Sequence, residues 1–159
     1  MKSVVNSLFF ILCLFSLNNA HAQKTYDFEW EHYSIVFNLA EDFKVVTNTA
    51  EEFSAVGDGM EFAIFPFNDA SLDASDIADY TVEIAKSLEL EEIDDADVLK
   101  LNGLTGAYVE GYKAGDRVVL LGFMDPGSAT NFFATITFGD DDKNAEDEAV
   151  RMIKSFRKK

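Results

Sequence analysis

Cysteine is nearly missing from this chain: Cys13 is the only one in 159 residues. No disulfide can close within the chain, and no thiolate zinc centre can be assembled. Histidine is almost as scarce, with only His21 and His32. Basic residues are few, 13 against 29 acidic ones. Phosphate binding needs a basic face that releases counterions, so nucleic acid is a poor partner, and anionic membrane surfaces are disfavoured for the same reason. A glycine-rich phosphate loop is missing too. Gly57-Asp58-Gly59 has neither the P-loop spacing nor the Rossmann spacing and reads as a turn. Finally, the one long apolar run ends at Leu17, short of the ~20 residues that cross a bilayer.

That run has the organisation of a cleavable secretory signal. Lys2 gives the positive start, Leu8-Phe9-Phe10-Ile11-Leu12-Cys13-Leu14-Phe15 the apolar stretch, and Ala20-His21-Ala22 the small residues that signal peptidase reads. The expected division is residues 1–22 as signal and 23–159 as a single domain, with Gln23 as mature N-terminus. Lipidation of Cys13 is disfavoured, because Phe10-Ile11-Leu12 precedes it with no small residue beside the cysteine. The expected location is periplasmic or extracellular, without stable membrane insertion after cleavage. Removing Lys2 with the signal leaves twelve basic residues against 29 acidic ones, a formal charge of −17.

The mature part has no thiol and one histidine, His32. A Ser-His-Asp arrangement would have to use it, yet no Gly-x-Ser-x-Gly turn exists to present a serine. The residues therefore imply no catalytic site and no cofactor. Acidic residues are so abundant that some carboxylate pairs must fall at glycosidase distances by chance, which gives such pairs no diagnostic value. About 137 residues suit one domain that buries roughly two-thirds of its unfolded surface, enough for stability without cross-links. Most of the fifteen phenylalanines remain to build that core.

Period-two patterning predicts strands at Tyr26-Trp30, Tyr33-Phe37 and Lys44-Thr47. Ala55-Val56-Gly57-Asp58-Gly59 reads as a turn, and Met60-Phe67, apolar on both faces, as a strand covered from both sides with Pro66 near its end. Ile77, Tyr80 or Thr81, Ile84 and Leu88 recur at helical spacing, with Asp73, Asp76 and Asp79 as capping and dipole-compensating residues. Three more strands follow at Leu104-Tyr112, Val118-Met124 and Asn131-Phe138, the first two joined through Ala114-Gly115-Asp116. A last helix should bury Ala149 or Val150, Ile153 and Phe156, with Arg151, Lys154, Arg157, Lys158 and Lys159 at its end. Short hairpins between strands, interrupted by two helices, predict an α+β fold with a mostly antiparallel sheet and helices packed on it.

Two sets of residues stand out as candidate sites. Asp140, Asp141 and Asp142 with Asn144, and Asp94-Asp95 with Asp97, supply the hard oxygen ligands that calcium takes. Neither set has the alternating spacing around a central glycine of an EF-hand loop, and a solvated loop and helix start is the simpler reading. Tyr108, Tyr112 and Phe133 could line a groove for a small apolar ligand if they stand outside the core.

The opening strand pair, the step Leu39-Ala40-Glu41-Asp42-Phe43, the turn Leu101-Asn102-Gly103-Leu104 and the closing Ile153-Lys154-Ser155-Phe156 resemble the PsbP-like domains of exported proteins. The resemblance implies an α/β/α sandwich around an antiparallel sheet. It carries fold and not function, because these are turn and core positions and the family serves unrelated roles. Together with the missing catalytic residues, it points to a noncatalytic accessory domain that binds another protein, with a small apolar ligand or weakly held calcium as alternatives. A partner with a basic face suits the −17 charge.

Overall fold

The structure is a computed structural model and describes residues 24–69 and 71–159. The expected signal, residues 1–22, lies outside the described residues. The chain opens with a hairpin of β1 (Thr25–Trp30) and β2 (Ile35–Ala40), followed by a meander of β3 (Lys44–Asn48), β4 (Phe53–Gly57) and β5 (Met60–Asn68). Helix α1 (Ile77–Ser87) then leads to a second meander of β6 (Asp97–Leu101), β7 (Leu104–Lys113), β8 (Asp116–Met124) and β9 (Thr130–Gly139). Helix α2 (Lys143–Lys154) and a two-residue strand β10 (Arg157–Lys158) close the chain.

The two meanders zip together where β5 pairs antiparallel with β9, which makes one seven-stranded sheet in the order β3-β4-β5-β9-β8-β7-β6. A three-stranded sheet, β1-β2-β10, is also antiparallel. It packs with α2 against the inner face of the large sheet, and α1 lies on the outer face over β7 and β8. The architecture is thus α+β, with two antiparallel sheets and a helix on each side of the larger one.

Period-two alternation explains the inner core. Phe132, Ala134, Ile136 and Phe138 of β9 and Phe62 and Ile64 of β5 point inward and are buried. There they meet Phe37 from β2, Phe53 from β4, Phe123 from β8 and Phe156 from the α2–β10 link. Rings dominate this layer. Phe156 stacks on Phe37 at 5.1 Å and meets Phe123 edge-on at 5.0 Å, geometries that favour aromatic pairs beyond their buried area. The smaller outer core holds Ile84 and Ala85 of α1 against Val109, Val118 and Leu120.

Several local expectations change. The segment from Ala55 to Gly57 belongs to β4, and the turn itself is confined to Asp58 and Gly59, both at positive φ, which suits a tight hairpin. Gly57 is required by packing, since a β-carbon there would stand 2.7 Å from the Phe43 Cα. Strand β5 buries Met60, Phe62 and Ile64 on its inner face, and Phe65 and Phe67 on the other are only half-buried. Of Tyr80 and Thr81, Thr81 is the buried one. Asp76 is the α1 N-cap residue but its side chain makes no capping bond, and Asp73 instead accepts from the Ser75 amide at 2.9 Å.

The closing helix also stops earlier than the basic run suggested. It ends at Lys154, and Arg157–Lys158 pair with Val36 and Ile35 of β2. The last three residues leave the helix because partners wait elsewhere: Arg157 reaches Asp27 at 2.6 Å, Lys158 reaches Asp125 at 2.7 Å and Lys159 reaches Glu29 at 2.7 Å.

Candidate functional site

Side chains that would point into the core near the middle of the large sheet emerge at the surface towards its β6 edge. On β7 the inner-face positions are Tyr108, Glu110 and Tyr112, opposite Leu121, Val119 and Arg117 of β8. Asp97 of β6 pairs with Tyr108 and shares its face. The start of α2 hangs over the same end, because Arg117 Nη1 meets Glu146 at 2.6 Å.

Arg117 is the centre of the cluster. Its guanidinium carbon lies 5.8 Å from the Tyr112 ring centroid, within cation–π range. Its Nε stands 3.5 Å from Glu110 Oε2, an ionic contact without a hydrogen bond, so that buried N–H has no acceptor. Burial raises the Glu110 pKa; Arg117 opposes the rise, and Asp94, Glu146 and Asp97 add to it. The Tyr112 hydroxyl is raised chiefly by its hydrogen bond to Asp140. The Tyr108 hydroxyl is raised by burial first and then by its hydrogen bond to Asp97. Asp94 is tied in as well, its Oδ1 accepting from the Glu110 amide at 2.8 Å. Five carboxylates thus surround two tyrosines and one arginine.

Tyr108 and Tyr112 therefore share a face, but Phe133 does not. Phe133 pairs with Gly122 on β8, next in sequence to Leu121, which pairs with Tyr108. Adjacent positions on a strand point to opposite faces, so Phe133 is on the outer face. There it stacks on Phe65 at 5.1 Å, and Phe67 stacks on Tyr80 at 5.0 Å. The three residues cannot line one groove. Two clefts of about 500 Å³ open elsewhere, one between the β5–α1 and β8–β9 loops, the other between α1 and the segment before β6.

The calcium candidates are engaged in local structure. Asp142 caps α2, its Oδ1 accepting from the amides of Asn144 at 3.1 Å and Ala145 at 3.0 Å, as an N-cap aspartate does. Asp140 lies near enough to the Tyr112 hydroxyl to raise its pKa, and Asp141 and Asn144 are exposed. Among the described residues, no three acidic, histidine or cysteine side chains are grouped to hold a metal ion. His32 is exposed in the β1–β2 turn.

Glu110, Arg117 and Glu146 were not foreseen from the sequence. The signal was there for the first two, since each occupies a phase of its strand that buries apolar side chains elsewhere, and a charged residue at such a position needs a partner. Glu146 could not be found without the tertiary placement of α2.

No protein-family model matches the chain, and no curated protein matches it either. Solved structures do. The cyanobacterial PsbP (CyanoP) of Synechocystis superposes with a TM-score of 0.59 at 10% identity, over 90% of this chain and 97% of that one. The Ran-binding protein Mog1p of Saccharomyces cerevisiae superposes with a TM-score of 0.58 at 10% identity, over 85% and 95%. A Bacteroides thetaiotaomicron protein matches with a TM-score of 0.52 at 13% identity, over 86% of this chain, which spans only 48% of that longer one. At such identities the likeness speaks for architecture alone: this chain has the PsbP-like fold that the Synechocystis and yeast proteins share.

Proposed function

We propose that the chain is an exported, noncatalytic domain that binds another protein through the acidic face built on β6, β7, β8 and the start of α2, and that the partner presents a basic face. The observation that carries this reading is the gathering of Asp94, Asp97, Glu110, Asp140 and Glu146 near Arg117, which among the described residues is the basic residue in ion pairs with this group, through Glu110 and Glu146. Tyrosines beside charged groups suit interfaces, since each ring adds contact area and a polar tip. That a neighbour of the same fold, yeast Mog1p, is a Ran-binding protein supports a protein partner by analogy.

The test starts with the N-terminus. Protein recovered from the cell envelope or medium should begin at Gln23, and intact Met1 on the cytoplasmic side would sink the export part. The mature domain is then used to capture partners from the envelope fraction of the native cell, in parallel with Asp97→Lys/Asp140→Lys. A partner retained by the first and lost by the second supports the acidic face, whereas equal retention places binding elsewhere.

A further inference from the structure

We infer that the free edge of β6 accepts an extended, basic segment of the partner protein as an added antiparallel or parallel strand; this deepens the reading above and rests on it. The large sheet has two edges, β3 and β6. Strand β3 is guarded, because its pairing with β4 shifts register between Val45 and Thr47, and a bulge twists an edge away from further pairing. Strand β6 has no such break. Its five residues pair in unbroken register with β7, from Asp97↔Tyr108 to Leu101↔Leu104.

The backbone groups offered at this edge can be named. In an antiparallel pair, residues alternate between those that bond across the pair and those whose N–H and C=O point away. The hairpin closes through the two residues Asn102 and Gly103 on Leu101↔Leu104, so Leu101, Leu99 and Asp97 bond inward to β7. Val98 and Lys100 point outward. Just past the end of β6, Asn102 forms a single parallel bridge with Arg157 of β10, but among the described residues no strand is paired with the outward groups of Val98 and Lys100, and Val98 is 62% exposed, an unusual state for a strand valine.

What would lie there follows from the flanks. On the inner face the incoming strand would meet Asp97 and Tyr108. On the outer face a cleft of about 500 Å³ begins beside β6, with Val82 and Ile93 among its walls and Asp79, Asp94 and Asp95 on its rim. The cation in that cleft, Lys86, is already held by Glu83 at 2.7 Å. An apolar side chain fits the cleft on the outer face, and the lysines or arginines that alternate with it lie on the inner face beside Asp97. A second copy of this chain would bring the same acidic flanks together and is disfavoured by like charge.

The experiment titrates the isotope-labelled mature chain with a peptide of about six residues, alternately lysine and valine, and follows backbone amides by NMR and hydrogen exchange. Protection of the Val98 and Lys100 amides is expected. Val98→Pro should weaken the peptide about tenfold or more while the melting midpoint barely moves, because that N–H has no partner within the domain; Lys100→Pro serves if Val98→Pro does not fold. A peptide with N-methylated valines, which keeps the charge but cannot pair, should lose affinity likewise. Equal binding of the N-methylated peptide, indifference to both proline variants, or no binding at all would overturn strand addition. Shifts confined to Glu110, Asp140 and Glu146 would overturn it too, yet leave the acidic face standing. Dimerisation that depends on β6 without peptide would name the wrong occupant.

Discussion

The hydroxyl of Thr81 fills the space that a β-carbon on Gly122 would need. It donates to the Ile77 carbonyl at 2.7 Å and faces the Ala107 carbonyl at 3.3 Å, so α1 is seated on β7 and β8 by a polar contact inside an apolar layer. Gly122→Ala should push the helix off and cost about 1–3 kcal/mol, as overpacking does. Thr81→Ala in the same chain should recover part of that loss. Denaturant midpoints of the two single variants and the double variant test it; strictly additive costs would mean the two residues do not compete for this space.

Phe156 is 1% exposed and touches rings from β2, β5 and β8. Phe156→Ala should cost about 3–5 kcal/mol in chemical denaturation, the range for removing a buried phenyl ring. An unchanged midpoint would mean the chain end is not docked between the sheets.

Glu148 is the charged residue in the buried stripe of α2. It is 5% exposed and its Oε1 has no hydrogen-bond partner. Burial raises its pKa, with Asp58, Asp42 and Asp142 adding to the rise and Arg151 opposing it. A carboxyl whose folded pKa is raised binds its proton more tightly in the native state. Stability should therefore fall as pH rises from the unfolded value of about 4.3 through the folded one, and stay lower above it. Glu148→Gln should raise the melting temperature at pH 7 and change it little near pH 4. A buried polar atom without a hydrogen bond sets the scale, about 1–3 kcal/mol. Destabilisation by Glu148→Gln at neutral pH would show that the carboxylate has a partner worth more than its burial costs.

Much of this was legible in the sequence because it is local. Apolar-rich segments, alternating in β1 and β9 and continuous in β5 and β8, mark these strands and β7, and the α1 stripe of Ile77, Thr81 and Ile84 has helical spacing. Strand β4 was hidden by Gly57, which resembles a turn glycine but is there for Phe43. Strand β6 was hidden by Asp97 on its inner face and the exposed Val98 on its outer one, which break the alternation of a half-buried strand. Strand β10 depends on partners far away in sequence: β2, Asn102 and the carboxylates of Asp27 and Asp125. The site divides in the same way. Tyr108 and Tyr112, four apart on one strand, had to share a face, but placing Phe133 relative to them required the register of three strands.

The acidic loops make a separate prediction about metal. Asp142 is committed to capping α2 through the amides of Asn144 and Ala145, so calcium would have to displace these bonds. Adding EDTA to the purified domain should leave the melting temperature where it was. A drop of several degrees, restored by calcium, would show that the loop before α2 is a cation site after all.

The last prediction concerns how a partner arrives. Much of the positive charge of the domain is neutralised in place: Arg117 by Glu146, and Arg157, Lys158 and Lys159 by Asp27, Asp125 and Glu29. Around β6 the carboxylates Asp94, Asp95, Asp97, Glu110, Asp140 and Glu146 outnumber the nearby Lys100 and Arg117, and their field should steer a basic partner and raise its association rate. Screening sets the test, because the Debye length shrinks from about 30 Å at 0.01 M salt to about 8 Å at 0.15 M. Across that range the association rate should fall steeply and the dissociation rate should change much less, as stopped-flow measurement with the captured partner would read. Asp95→Lys, on the exposed segment before β6, should slow association more than Glu31→Lys in the β1–β2 turn, although both change the net charge equally. If the two variants slow it alike, only the total charge matters and recognition is not focused at β6. If neither slows it and salt has no effect, the acidity serves solubility and plays no part in finding the partner.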